Sequence, residues 1–245
     1  MNSRSRTFWW GGSALAILLG LSILETHLTG QLYRGPAARV VSGNSLELDA
    51  EAFPTGVSLA VLGGFRGLVA DLQWVRVYGD WARHDLAAMR RRLWWVGEID
   101  PRPLTFWLNG ARMLAFDAMS WRIAAGEDVG RVAIEQLREA EAFLERARPA
   151  HGHRSAIDIE LAVLRLRMTA DVAGALVALE RADACEDAPY FVGRLRGELL
   201  VRAGRPAEAL SWLRQMRARL PNDDPRAMVE VVDQRIAQLQ RELER

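Results

Sequence analysis

Residues 197–221, GELLVRAGRPAEALSWLRQMRARLP, read as the end of one helix, a turn and a whole second helix. The first helix starts earlier, where Asp187 is placed to cap it and Pro189 lies in its early turn. Phe191, Leu195, Leu199 and Leu200 follow at helical spacing. Gly204 ends that helix and Pro206 opens the next, whose Ala209, Leu210, Leu213 and Met216 point inward. Pro221 closes the hairpin.

A shift of 34 residues towards the amino terminus lays Leu166 on Leu200, Ala175 on Ala209, Leu179 on Leu213 and Ala182 on Met216. Thr169-Ala170-Asp171 then falls on the turn Ala203-Gly204-Arg205. Ala175 and Ala209 are small where paired helices must approach closely.

Gly197, Gly204, Ala209, Leu213 and Pro221 stand at the spacing of a tetratricopeptide repeat, and 197–221 resembles one unit of that family. Residues 156–188 resemble it more weakly, without the glycines and the closing proline; 189–221 is the clearer unit. Upstream, 106–111 resembles a first helix with Gly110 at the family glycine, and 132–148 its partner, with an insertion around Phe116 to Gly130. Leu72–Trp81 and Asp85–Val96, closed by Asp100-Pro101, form a divergent first unit. Gly64-Phe65-Arg66-Gly67-Leu68-Val69-Ala70-Asp71-Leu72-Gln73-Trp74 is similar to a segment in a group of bacterial membrane-anchored repeat proteins. The resemblance implies an all-α hairpin solenoid that binds a protein or peptide in a groove lined by the first helix of each unit. The groove positions it implies are Glu160, Leu164 and Arg167, then Arg194, Glu198 and Val201, with Trp107 in the equivalent place upstream.

Helix 225–243 carries Met228, Val232, Ile236, Leu239 and Leu243 on one narrow stripe and is expected to cap the stack, a dimer seam being the alternative.

Phe8 to Leu24 is a run of 17 residues without a charge, extendable to Leu28. That approaches the ~20 residues needed to cross a bilayer. Arg4 and Arg6 precede it, and Trp9 and Trp10 sit where an interfacial belt would lie. An uncleaved signal-anchor competes with a cleaved signal peptide and a buried helix; the long run and the lack of an A-x-A site favour the anchor. The expected layout is a cytoplasmic tail 1–7, a span 8–28 in the inner membrane, a connector 29–63 and an extracytoplasmic helical domain 64–245. In the connector, 39–41 and 46–48 flank Ser42-Gly43-Asn44 as a small hairpin. Val57–Val69 is too short and interrupted to span, so it feeds the first core helix or lies on the membrane surface.

Composition narrows the chemistry. Basic and acidic residues number 32 and 31, which gives no footprint for nucleic acid. All 32 basic residues are arginine, so lysine Schiff bases and P-loop lysines are excluded. The single cysteine, Cys185, excludes an intrachain disulfide and reads as a packing residue. No G-x-S-x-G or G-x-G-x-x-G occurs. His151 and His153 lack an evident third metal ligand, so neither cofactor nor metal is expected.

Eight of the nine tryptophans precede residue 122, as core packing or as a partner surface. Arg90-Arg91-Arg92 reads as a solvated helix face. Helix-spaced ion pairs are expected for Glu135 with Arg138, Glu145 with Arg148 and Glu198 with Arg202. The function expected is a membrane-tethered, non-enzymatic scaffold that holds a protein or peptide. A structural membrane subunit contacting others through its span and tryptophan-rich first half is the alternative, and a helical enzyme a weaker third.

Overall fold

A computed structural model describes residues 64–244, and over them the chain is all-α, with no strand. The expected span, the connector with its hairpin and the start of Val57–Val69 lie outside the described residues. No described helix is long and apolar enough to cross a membrane.

The helices are α1 (Arg66–Ala82), α2 (Leu86–Ile99), α3 (Leu104–Arg112), α4 (Ala118–Ala124), α5 (Val129–His151), α6 (Ser155–Thr169), α7 (Val172–Asp183), α8 (Tyr190–Arg202), α9 (Pro206–Arg219) and α10 (Val229–Leu243). They pair as hairpins α1/α2, α3–α4/α5, α6/α7 and α8/α9, with α10 against α9.

One turn recurs. Each hairpin reverses through a residue of positive φ: His84 at 55°, Gly126 at 90°, Ala170 at 54° and Gly204 at 74°. Three of these turns close with an N–H reaching back five residues, from Asp85 to Asp80, Glu127 to Arg122 and Arg205 to Leu200. An aspartate then caps three of the returning helices: Asp85 Oδ1 accepts from Ala88, Asp128 Oδ1 from Arg131 and Asp171 Oδ1 from Gly174. The 34-residue register thus aligns two left-handed positions, Ala170 and Gly204, as expected of a shared turn.

Small residues set the helix spacing inside the hairpins. Ala175 and Ala209 are fully buried. A Cβ on Gly197 would lie 2.7 Å from Leu213 Cδ2 and 3.0 Å from its Cγ. Gly197→Ala is therefore expected to lower stability by about 1–2 kcal/mol, because overpacking of ~1–3 kcal/mol outweighs a helix gain of ~0.5–1. Urea unfolding checks this, and a stabilised variant would contradict it.

The second hairpin departs from the expected layout. The insertion around Phe116 to Gly130 is not a loop. The first helix continues through a π-turn at Met113–Asp117 and on to Ala124. The extra residue keeps Met113, Leu114, Ala115 and Ala118 buried. The partner helix α5 runs past the expected end at 148, through Pro149 to His151 before Gly152. Asp187 does not cap α8. Its carboxylate accepts from the Ser155 N–H at 2.9 Å, at the start of α6, and this bond holds its pKa below the usual carboxylate range. It stitches the third and fourth hairpins at their starts.

The carboxy-terminal helix begins later than expected. Pro225–Ala227 form a 3-10 turn, and Met228 at φ 51° separates it from α10. Val232 and Leu239 face inward, Ile236 is half-buried, and Met228 and Leu243 are exposed.

Candidate partner-binding surface

The residues expected to line a groove divide between core and surface. Trp107 and Leu164 are buried in the core, at 1% and 0% exposure, and offer a partner no surface. The Trp107 indole N–H donates to the Pro101 carbonyl at 2.9 Å. Its ring lies 4.8 Å from that of Phe143. Glu160 is 4% exposed and takes both prongs of the Arg112 guanidinium, at 2.8 and 2.6 Å. Arg194 donates to the Ala227 carbonyl at 3.0 Å, and Glu198 accepts the Arg235 fork at 2.7 and 2.9 Å. Val201 is half-buried against the core. Arg167 alone among the seven is an exposed cation, lying over the Phe116 ring at 5.1 Å. Glu160, Arg194 and Glu198 tie neighbouring segments of the domain together through Arg112, the Ala227 carbonyl and Arg235.

Arginine–carboxylate bridges cross each junction between hairpins. Arg90 pairs with Glu139 and Arg146 with Glu98 between the first and second. Arg112–Glu160, Arg165–Glu141 and Arg148–Asp158 join the second and third, and Arg196–Glu180 the third and fourth. Arg217–Asp233 and Arg235–Glu198 hold α10. The basic run 90–92 is therefore not a plain solvated face: Arg90 reaches α5, and Arg92 bonds Asp80 and Gln73 of α1. Of the expected local pairs, Glu145–Arg148 forms. Glu135 instead meets Arg122 and Arg131.

That last cluster closes the turn after α4. Glu127 accepts from Arg122 and Arg131, and these bonds, Arg122 first, push its carboxyl down to about 2. The folded value lies below the ordinary 4.5, so the stabilising contribution is complete above that pH and is lost as pH falls towards 2. The Tm gap between wild type and Glu127→Gln is expected to stay constant above about pH 5 and to close between about 4.5 and 2. An unchanged gap near the bottom of that window contradicts the assignment.

Other candidates for chemistry are occupied structurally. A shallow depression of about 330 Å³ is lined by Gly97, Glu98, Pro101, Trp107, Arg146, Pro149 and Ala150. Its two charged groups pair with each other at 2.8 Å. His151 Nε2 lies 2.8 Å from the Pro101 carbonyl oxygen, and His84 stacks on Trp121. The Cys185 thiol donates to the Arg181 carbonyl at 3.3 Å, and burial, then Asp158 and Asp187, pushes its pKa up, away from thiolate. Among the described residues no three metal-ligating side chains converge. The buried polar atom left without a partner among them is Gln136 Oε1.

No protein-family model matches the chain, and no curated protein is similar to it.

What sequence reasoning missed is a surface. The outer side of α1 exposes Leu68, Leu72, Val75 and Tyr78, at 48, 46, 66 and 50%. Phe65 precedes them, and Trp81 flanks them. The inner side buries Ala70, Gln73, Val77 and Asp80. The signal was available: apolar residues run all round this helix, a pattern of helices covered on both sides. The other tryptophans mostly pack. Trp74 stacks on Phe106 at 4.7 Å, and Trp94 meets Phe143 edge-on at 5.0 Å.

Proposed function

We propose that this protein is a non-enzymatic scaffold of tetratricopeptide type, tethered to the bacterial inner membrane by residues 8–28, with its helical domain on the extracytoplasmic side. It works as a structural subunit whose protein contacts run through its first hairpin rather than through a groove. The observation that carries this reading is the apolar outer face of α1. Solenoids end in helices with polar outer sides, and α10 comes close to that rule, exposing Glu230, Asp233, Gln234, Gln238 and Arg241 with Val231 and the terminal Leu243 as apolar exceptions. The first helix breaks it. Contiguous apolar surface on an otherwise charged domain marks a protein or membrane contact.

A photo-crosslinking side chain placed at Leu72, Arg167 or Glu198 in the full chain tests the reading in intact membranes. Protein adducts are expected at position 72 and few at the other two. Adducts confined to 167 and 198 would return the contact to the groove.

A further inference from the structure

We propose that the occupant of this face is a second copy of the chain, its α1 lying alongside and parallel to the first. The inference rests on the reading of α1 as the contact surface.

Along α1 the positions are Leu68, Leu72, Val75, Gly79 and Ala82, spaced 4-3-4-3. That is the a/d seam of a coiled coil, which keeps facing a partner helix along its length. A lipid surface imposes no such period, and basic residues would be expected around a lipid-facing stripe. Here the border is mixed, with the exposed Asp71 on one side and Arg76 on the other. Gly79 and Ala82 let two helices approach closely at the far end of the seam.

The bordering charges select the orientation. Asp71 and Arg76 stand immediately on either side of the seam, five residues apart. In a parallel pair, each flanking residue on one side meets the residue five positions on from the other side of its partner. Asp71 of each copy therefore meets Arg76 of the other, twice over. An antiparallel pair would set each of these residues against its own kind.

The seam is short, and free peptides of this length would pair weakly. In this chain α1 is already held helical by α2, so association carries no folding cost. A parallel pair also brings both α1 amino termini to one side, as two copies tethered in one membrane require.

The lone cysteine makes the test direct. In full-length Cys185→Ser protein in detergent, cysteine is placed at Leu68, Leu72 or Val75, with Ala87→Cys on exposed α2 as control. Seam positions face themselves across a parallel pair, so oxidation is expected to give disulfide dimers several-fold above the control. Asp71→Arg is expected to weaken the dimer about tenfold, since two pairs turn repulsive, and adding Arg76→Asp to restore it. Seam cysteines that dimerise no more than Ala87→Cys, or no restoration by the double swap, overturn the proposal. If position 72 crosslinks only to a different polypeptide, self-pairing falls and the scaffold reading stands. If position 72 crosslinks in intact membranes only to lipid while dimer mass is unchanged by Leu72→Asp, the face is lipid-bound and both readings fall.

Discussion

Trp107→Ala is expected to destabilise the helical domain by about 3–5 kcal/mol, the range for a fully buried large aromatic. Three elements meet on this ring. From α2, Gly97 comes so close that a Cβ there would lie 2.4 Å from the indole Cη2. From α5, Phe143 packs on it at 4.8 Å, and the backbone of Pro101 accepts its N–H. The walls are helices held by their own partners, so they collapse poorly onto the void. Removing the indole also leaves the Pro101 carbonyl with one contact fewer, although His151 stays beside it. For a domain of this size the loss amounts to a Tm drop of about 10 °C or more. Thermal and urea unfolding of the full chain measure it. A loss below about 1 kcal/mol would mean the ring is not the keystone of the first two hairpins. Gly97→Ala attacks the same contact from the other side and is expected to move stability in the same direction.

The sequence made the hairpins legible through short-range signals. Proline and a left-handed turn residue act within a few positions, so Gly204 and Pro206 can be read directly. The register that laid Ala175 on Ala209 also holds, since both are fully buried. What lies between hairpins was not legible. Glu198 has Arg202 at helical spacing, yet it takes the fork of Arg235, 37 residues away. Asp187 looks like the cap of its own helix, yet it bonds Ser155. A carboxylate on a helix surface meets several arginines in three dimensions, and local spacing cannot rank them. Groove positions failed for a related reason. A family register assumes regular units, whereas the first helix of the second hairpin is broken by the π-turn at Met113–Asp117, and Arg112 and Glu160 pair across hairpins 48 residues apart. The lysine-free composition gains a structural use: guanidinium forks grip carboxylates with two prongs at Glu139, Glu160 and Glu198, which an ammonium cannot do.

Asp80→Ala carries the second large effect, about 3 kcal/mol, because it strands a guanidinium between α1 and α2. Asp80 is 2% exposed and accepts from Arg92 Nε at 2.7 Å. It also accepts from Arg83 at 2.6 Å, but the Arg83 side chain is 67% exposed and contributes little. Arg92 is 15% exposed at its side chain, and its other prong bonds the buried Gln73 at 2.6 Å. Without the carboxylate, Arg92 keeps one neutral partner and faces the nearby charge of Arg76. The cost comes from the stranded charge more than from the lost bond, so removing the charge as well should recover stability. Asp80→Ala with Arg92→Met is therefore expected to be at least ~1.5 kcal/mol more stable than the sum of the two single changes implies. The damage falls on the hairpin that displays the apolar seam. Hydrogen exchange of α1 amides should speed up in Asp80→Ala while α8 and α9 keep their protection. A double variant no better than additive would show that the bridge is a surface pair in effect, and that α1 is held to α2 by its apolar side alone.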